Sequence, residues 1–411
     1  MNGVTVSGRV STSARPTERS GSSVSYLVAH PSADMYGSDR VLLESVSGFV
    51  RSGAAVTVTV PADGPLVPLL EERGARVVFA PTLVLRKSLM TPKGLISLVS
   101  QTIAGLRAGR RLMREVRPTL VWTNTITIPL WTLLARLFRV TSIVHVHEAE
   151  GSASRAVMRT LAFPLLFADQ LVANSNYSAG VLRDSFARLG DRCTVVYNGV
   201  AGPDAVAPPR ASIDDDLRVL YVGRLSPRKG PDLIIEAIAA LRDRGIPATL
   251  DLVGAVFPGY EWFEDQLRDS IAALDLRDRV HLRGFQDSPW PFLAASDVMV
   301  VPSRLDEPFG NTAVESVLAA RPVVVSDTSG LREAAWGYRS AQQVEPGDTQ
   351  DIADALERVW SDWTRFRSEA LADELVAHER HSVETYQRRI SEAATAVGVG
   401  VGRRFGVRSH A

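Results

Sequence analysis

Arg224 and Lys229 stand five residues apart in the stretch from Val219 to Glu236. An apolar run there ends at Gly223, a loop follows, and Gly230-Pro231 opens a helical pattern. Proline suits the first turn of a helix, where its missing N–H costs nothing. Two cations beside a helix N-terminus make an anion site, because free N–H groups and the helix dipole favour phosphate. Taken alone, the loop also reads as a solvated connection with ordinary charges. A second stretch, Val300 to Glu315, again runs from strand to loop to helix. It places Glu307 before a turn and Glu315 about one turn inside the new helix, with Pro308-Phe309-Gly310-Asn311-Thr312 between them. The N–H groups of Gly310, Asn311 and Thr312 can point into the same cleft. One carboxylate can then bind sugar hydroxyls while the other reaches a ribose. On its own the segment also reads as a Glu-rich helix cap.

Two further places carry candidate chemistry. Ser142-Ile-Val-His-Val-His-Glu148 ends a strand, and His145 and His147, two residues apart, share one of its faces. A metal would need a further cluster of ligands, and the sequence offers none. Asp34-Met-Tyr-Gly-Ser-Asp39 follows the first strand. Gly37 there lets backbone approach a phosphate or an acceptor closely, and a turn with an N-cap at Ser38 or Asp39 explains the same letters. Asp214-Asp215-Asp216 formally holds an Asp-x-Asp pattern, but it lies in a Pro-rich connection and reads as a solvated charge run.

Positioning these groups requires a scaffold of strands alternating with helices. Strands are expected at Ser25–Ala29, Ala55–Val60, Val77–Phe79, Leu120–Trp122, Ser142–His147, Gln170–Ala173 and Thr194–Tyr197. A second series follows at Arg218–Val222, Ala248–Val253, Val280–Leu282, Val298–Val301, Pro322–Ser326 and Gln342–Val344. Helix-period segments such as Ser38–Ser52, Asp232–Arg244 and Asn311–Ala320 lie between them, and Val376–Ala396 forms a final helical region. Near-continuous apolar strands alternating with helices predict parallel sheets covered on both faces, so two series predict two Rossmann-like domains. The boundary falls near Asn198–Asp216, after Asn-Gly and among prolines. The expected division is a disordered tail over 1–23, domains over 24–200 and 201–380, and a helix with a flexible tail over 381–411.

The chain has 411 residues, of which 45% are hydrophobic and 22% charged, a composition that excludes wholesale disorder. The lone cysteine, Cys193, excludes an internal disulfide framework. No apolar run approaches the ~20 residues needed to cross a bilayer, and the polar N-terminus lacks a signal-peptide core. The expectation is a cytoplasmic protein. A formal net charge of zero hides +7 over Val24–Val200 and −9 from Ala201 onward. The acidic second half and the lack of a recognition motif argue against nucleic acid as a partner. Between Arg86 and Arg117, eight basic residues and one acid, Glu115, are interleaved with apolar ones. Such a surface can lie on an anionic membrane, and it reads as readily as an ordinary domain helix with solvated arginines.

Gly223-Arg224…Lys229-Gly230, Glu307-Pro308-Phe309-Gly310…Glu315 and Pro322-Val323-Val324…Gly330…Glu333 together resemble family 4 of the retaining glycosyltransferases. The likeness covers most of the second domain; the first matches in layout and a few positions. It implies the GT-B fold, with two Rossmann-like domains facing across a cleft and a nucleotide-diphosphate sugar as donor. It further implies a glycan or lipid-linked acceptor, no metal or other cofactor, and front-face attack with retention. Arg224 and Lys229 would bind the diphosphate, Glu307 the sugar hydroxyls and Glu315 the ribose. Gly223, Phe309, Gly310, Asn311 and Thr312 would line the donor site, and Arg283-Gly284-Phe285 would lie near the base. His147 resembles the family's first-domain histidine beside the donor sugar, and Gly37 and Ser38 its glycine loop. Ala320 and Ser329 stand where the family usually has glycine, and Ser38 and Asp39 replace the more usual Gly and Glu. Rival readings are a silent sugar-nucleotide-binding protein and an epimerase or phosphorylase on the same fold; three lysines leave little room for the pyridoxal-phosphate lysine of a phosphorylase.

Overall fold

Strands that are apolar at every position have no polar face to give to water, so they need helices on both sides. The computed structural model, which describes residues 24–35, 37–85, 92–148, 151 and 154–404, shows this twice. The expected tail, 1–23, lies outside the described residues. In the first domain the strands are β1 (Ser25–Ala29), β2 (Ala55–Val60), β3 (Arg76–Phe79), β4 (Leu120–Thr123), β5 (Thr141–Val146), β6 (Gln170–Ala173) and β7 (Cys193–Val195). They form one parallel sheet in the order β3-β2-β1-β4-β5-β6-β7. In the second domain β8 (Leu217–Val222), β9 (Ala248–Val253), β10 (Val280–Gly284), β11 (Val298–Val301), β12 (Val323–Ser326) and β13 (Ala341–Val344) form a parallel sheet ordered β10-β9-β8-β11-β12-β13. The expected strands are all present, most of them shifted by a residue or two at an end. The protein is therefore an α/β molecule of two Rossmann-like domains.

In each sheet the order reverses beside the first strand, between β1 and β4 and between β8 and β11. Loops that leave the strand ends on either side of such a point diverge and leave a crevice, which is where open parallel sheets bind ligands. The stretches singled out for chemistry leave β1, β5, β8 and β11, at or next to these two points.

The final helical region differs from expectation. A helix over Trp363–His381 ends at Ser382, and a separate helix over Val383–Arg404 follows. The second returns to the first domain. Tyr386, Ile390, Ala393, Ala394 and Val397 are buried in that domain's core beside Val46 and Phe49. The Tyr386 hydroxyl bonds Ser45 Oγ at 2.6 Å, and Gln387 Nε2 donates to Glu44 at 2.5 Å. Contact with the helix Gly37–Arg51 is close enough that a Cβ at Gly48 would lie 2.8 Å from the Gln387 carbonyl. Periodicity alone cannot place a helix break at Ser382, because the pattern of either helix continues through it. The chain thus crosses between domains twice, and the crossings touch: the Val200 N–H donates to the His381 carbonyl at 3.0 Å.

Candidate active site in the cleft between the domains

The second domain supplies a cationic floor. After β8 the backbone turns through Gly223, and a Cβ at Gly254 would lie 1.8 Å from the Gly223 carbonyl, so these two loops meet backbone to backbone. Gly230 takes a φ of +68° at the start of the helix Pro231–Asp243, a conformation that glycine adopts freely. Lys229 Nζ reaches Glu307 Oε1 at 2.8 Å, Arg228 lies 3.3 Å from the same oxygen, and Ser303 Oγ donates to it at 3.0 Å. Arg228 also donates to the Asp306 carbonyl at 2.8 Å, while Arg304 grips Asp232 through two bonds of 2.7 and 2.6 Å. These contacts tie the two βα loops into one surface. The Arg224 guanidinium stacks 3.4 Å above the Phe257 ring, and its carbonyl accepts from Tyr221 at 2.7 Å.

Glu315 lies half-buried in the helix Asn311–Leu318, whose start is shaped by Gly310 at φ +119°. Burial pushes its carboxyl up to about 7, with Arg40 of the first domain pulling the other way. Thr312 is half-buried beside it, and Asn311 Oδ1 accepts from Asn198 at 2.8 Å. The Phe309 ring faces inward. It is 2% exposed and stacked on Tyr197, so it supports the turn from behind rather than lining the cleft. A large apolar ring between Pro308 and Gly310 is drawn into the core, which leaves the backbone of this turn to face the cleft. Arg283, Gly284 and Phe285 end β10 beside Gly254, whose N–H donates to the Gly284 carbonyl at 2.8 Å. Arg283 pairs with Asp251 at 2.6 Å, and Phe285 is 66% exposed.

The first domain supplies a wall centred on His147. His147, at the end of β5, points Nε2 to Asn124 Oδ1 at 3.2 Å, and the ring of fully buried His145 lies 3.9 Å from its own. Burial above all, then the nearby His30, holds His147 down at about 3, so it is neutral. Glu148 turns inward to accept from the Thr125 hydroxyl and from the N–H groups of Ile126 and His147 at 3.4 and 3.2 Å. Gly37 and Ser38 open the helix behind β1, and a Cβ at Gly37 would lie 3.8 Å from Asn311 Nδ2, so this loop faces the second domain directly.

Sequence reasoning missed the contacts that hold the halves together. Glu333 accepts from Asn176 N and Nδ2 at 2.8 and 3.0 Å, from Tyr177 N at 2.5 Å and from the Tyr197 hydroxyl at 3.1 Å. A carboxylate of one domain thereby caps the helix Asn176–Ser185 of the other. Ser175 Oγ donates to the Pro308 carbonyl at 2.5 Å, next to Glu307. Arg40 reaches over the cleft to the Asp287 carbonyl at 3.2 Å. A Ser-Asn-Tyr-Ser run after a strand signals a cap, but nothing local tells that its partner lies more than 150 residues away.

Two departures from the family pattern have a visible form. Ala320 and Ser329 hold φ of +55° and +33°, the left-handed region that glycine tolerates best. Ser329 compensates through its hydroxyl, which donates to the Glu307 carbonyl at 3.0 Å and accepts from the Glu307 N–H at 2.7 Å. The acidic run of the connection is engaged in ion pairs, Asp215 with Arg210 and Arg218 and Asp216 with Arg279. In the basic helix Pro92–Val116, Arg107, Arg110, Arg111 and Arg114 are exposed, as are Val99 (59%) and Ile103 (44%). Arg86 and Lys87 lie outside the described residues. Among the described residues no helix is long and apolar enough to cross a membrane.

Residues 207–373 match the family described as Glycosyl transferases group 1, and residues 35–201 match Glycosyltransferase Family 4. The D-inositol 3-phosphate glycosyltransferase of Thermobispora bispora is 32% identical over 250 residues, 56% of this chain and 57% of the relative. The alpha-D-kanosaminyltransferase of Streptomyces kanamyceticus is 33% identical over 155 residues, 37% of this chain and 39% of the relative. The chain spans about half the length of the curated relatives it matches, 46%, 57% and 61% in three of them. Among solved structures, Anabaena HepE in complex with UDP-glucose superposes with a TM-score of 0.75 at 23% identity, over 90% of this chain and 99% of that one. WaaG, a glycosyltransferase involved in lipopolysaccharide biosynthesis, superposes at 0.64 and 14% identity, over 90% and 100%. Both likenesses show the GT-B arrangement of the two domains. With a group 1 domain and a family 4 domain joined in this order on a GT-B frame, the chain belongs to the family 4 type of glycosyltransferases.

Proposed function

We propose that this protein moves a hexose-type sugar from a nucleotide diphosphate to an acceptor hydroxyl, with retention at the anomeric carbon and without a metal ion. The observation that carries the reading is the meeting of Lys229 and Arg228 on Glu307 at the start of a helix, in the crevice between two facing sheets. A diphosphate leaving group gains negative charge as its bond to the sugar breaks, and fixed cations and helix N–H groups stabilise it without reorganising. Glu307 sits where a nucleophile would be sought. Its charge is taken up by two cations and a hydroxyl, which makes it a weak nucleophile and a good holder of sugar hydroxyls. That favours front-face attack, the leaving phosphate accepting the acceptor's proton. Glu315 would meet ribose hydroxyls, which would draw its carboxyl back to the ionised form.

The solved structure of HepE with UDP-glucose makes UDP-linked hexoses the first donors to try, with GDP-linked ones next. The acceptor is proposed to be a glycan or a lipid-linked glycan, met on the cytoplasmic side of a membrane in cell-surface polysaccharide or glycolipid synthesis. The exposed arginines beside Val99 and Ile103 support contact with an anionic surface there. Calorimetric titration with a panel of nucleotides and nucleotide sugars, in EDTA and in manganese, tests the donor reading. One diphosphate and its sugar should bind equally well in both. Binding that requires manganese would overturn the metal-free reading, and no binding across the panel would overturn the donor site. Anionic liposomes should retain the protein at low salt and release it at high salt.

A further inference from the structure

Behind His147 runs a chain of buried polar groups that the proposed reaction does not use. Asp39, in the first turn of the helix Gly37–Arg51, lies with Oδ1 2.5 Å from His30 Nε2. His30 Nδ1 lies 3.2 Å from Asn124 Nδ2, and Asn124 Oδ1 lies 3.2 Å from His147 Nε2. Asp39, His30 and Asn124 are each at most 2% exposed, and they come from the loops after β1 and β4. His147 itself is half-buried at the end of β5.

The direction of the protons in this chain follows from the Asn124 amide. Its NH2 only donates and its oxygen only accepts, and it turns Nδ2 to His30 Nδ1 and Oδ1 to His147 Nε2. His30 Nδ1 is therefore a bare acceptor, and the proton of this ring sits on Nε2, where it is donated to Asp39. His147 must likewise answer the Asn124 oxygen with a proton on Nε2. A neutral imidazole has one proton, so its Nδ1 is a bare acceptor. That nitrogen has no hydrogen-bond partner among the described residues, and it is not among the side-chain atoms sealed from solvent. The ring of His145, 3.9 Å away, agrees: two rings that close and largely buried are compatible only if both are uncharged.

The geometry points to Asp39, His30 and Asn124 as a positioning chain that fixes His147 in the Nε2–H form, so that Nδ1 accepts a hydrogen bond from a hydroxyl of the donor sugar. This deepens the donor reading above and rests on it for the identity of the ligand. The consequence is a specificity rule. The first-domain side of the sugar pocket selects a sugar bearing a hydroxyl at this point and discriminates against the deoxy sugar, because the latter leaves an acceptor unpaired in a closed cleft.

Two measurements test it on the full chain. In the first, the ligand-free protein is labelled with nitrogen-15 on histidine and its imidazole spectrum recorded, with His147 assigned by its loss in His147→Gln. His147 should be a single form protonated on Nε2. Asp39→Asn, whose near-isosteric amide can either accept or donate, and Asn124→Leu should both bring in the form protonated on Nδ1. An Nδ1–H form in the parent protein, or spectra unchanged by both substitutions, would overturn the proposal. In the second, affinities for UDP and UDP-glucose are compared by calorimetry. Asn124→Leu and His147→Ala should leave UDP binding unchanged and each weaken UDP-glucose by about tenfold, the loss of one hydrogen bond. The double variant should lose no more than either single one, since both act through one contact. Losses that multiply would assign Asn124 a separate structural role and overturn the chain. Failure of UDP itself to bind would remove the donor reading and leave the spectra to decide the proposal.

Discussion

The two walls of the cleft are built on the same βα plan and work in opposite ways. The second domain presents charge: Arg224, Arg228 and Lys229 lie at or near the surface, gathered around the buried Glu307, and come with it from two loops with helix N-termini behind them. The first domain presents a hydrogen-bonded chain: Asp39, His30, Asn124 and His147 come from three βα connections and are mostly sealed. A phosphate must be met by cations that remain accessible, and βα loops with glycine turns supply these locally. A histidine that must hold one proton on one nitrogen needs neighbours without access to water, and such neighbours have to be gathered from distant parts of the chain. Charge recognition is therefore a property of a segment, and proton placement a property of the fold.

The comparison breaks first at Lys229. Lys229→Ala should lower turnover by about 10²–10³ while the protein stays folded, since one preorganised charge is lost from a partly exposed loop and Arg228 and Ser303 still hold Glu307. Initial rates with the donor found by titration, paired with thermal melts, check it; near-parental rates would deny the charged wall its role.

Glu315 sharpens the contrast, because it is the carboxyl of the charged wall that burial disfavours. Its value in the folded protein, about 7, lies above the ordinary carboxylate value of 4.5. The sign follows: the fold prefers the protonated form, so this group's contribution to stability is full below 4.5 and is lost as pH rises through about 7. Glu315→Gln should be more stable than the parent above that range, by up to about 3 kcal/mol, and equal to it in acid. Denaturant unfolding across pH 4–9 measures this, and donor binding near neutral pH should release a proton.

Between the walls, Glu333→Ala removes the carboxylate that caps the helix Asn176–Ser185 from across the cleft, at a cost of about 0.5–2 kcal/mol. Small-angle scattering should show the two domains further apart, and Glu333→Gln should recover part of the loss. The smallest effect is expected at Ser329. Ser329→Ala keeps the left-handed strain and deletes both bonds to Glu307, costing about 1 kcal/mol. Ser329→Gly deletes the same bonds but relieves the strain, so it should cost well under half as much.

Legibility in the sequence followed the same division. Both sheets could be read because buried parallel strands are apolar at successive positions, as in Val298–Val301. Lys229, Glu307 and Glu315 could be read because each loop carries its own glycine turn and helix start. The link from His30 to Asn124 spans 94 residues, and that from Asn176 to Glu333 spans 157, with no local trace of either. The inward turn of the Phe309 ring was hidden for a related reason. A motif names the residues of a turn without saying which of them faces inward, and an aromatic ring between Pro308 and Gly310 gains more from the core beside Tyr197 than from water.

The returning helix Val383–Arg404 bears on how the molecule is made. It completes the core of the first domain, yet it emerges from the ribosome only after the entire second domain. Residues 201–380 therefore hold everything their sheet needs before the earlier residues do. Until then the flank of the helix Gly37–Arg51 around Ser45 and Gly48 lacks its cover. The order of synthesis and the order of completion are reversed. A newly made chain passes through a stage with a finished second domain and an unfinished first one, and that interval is when chaperones have apolar surface to hold.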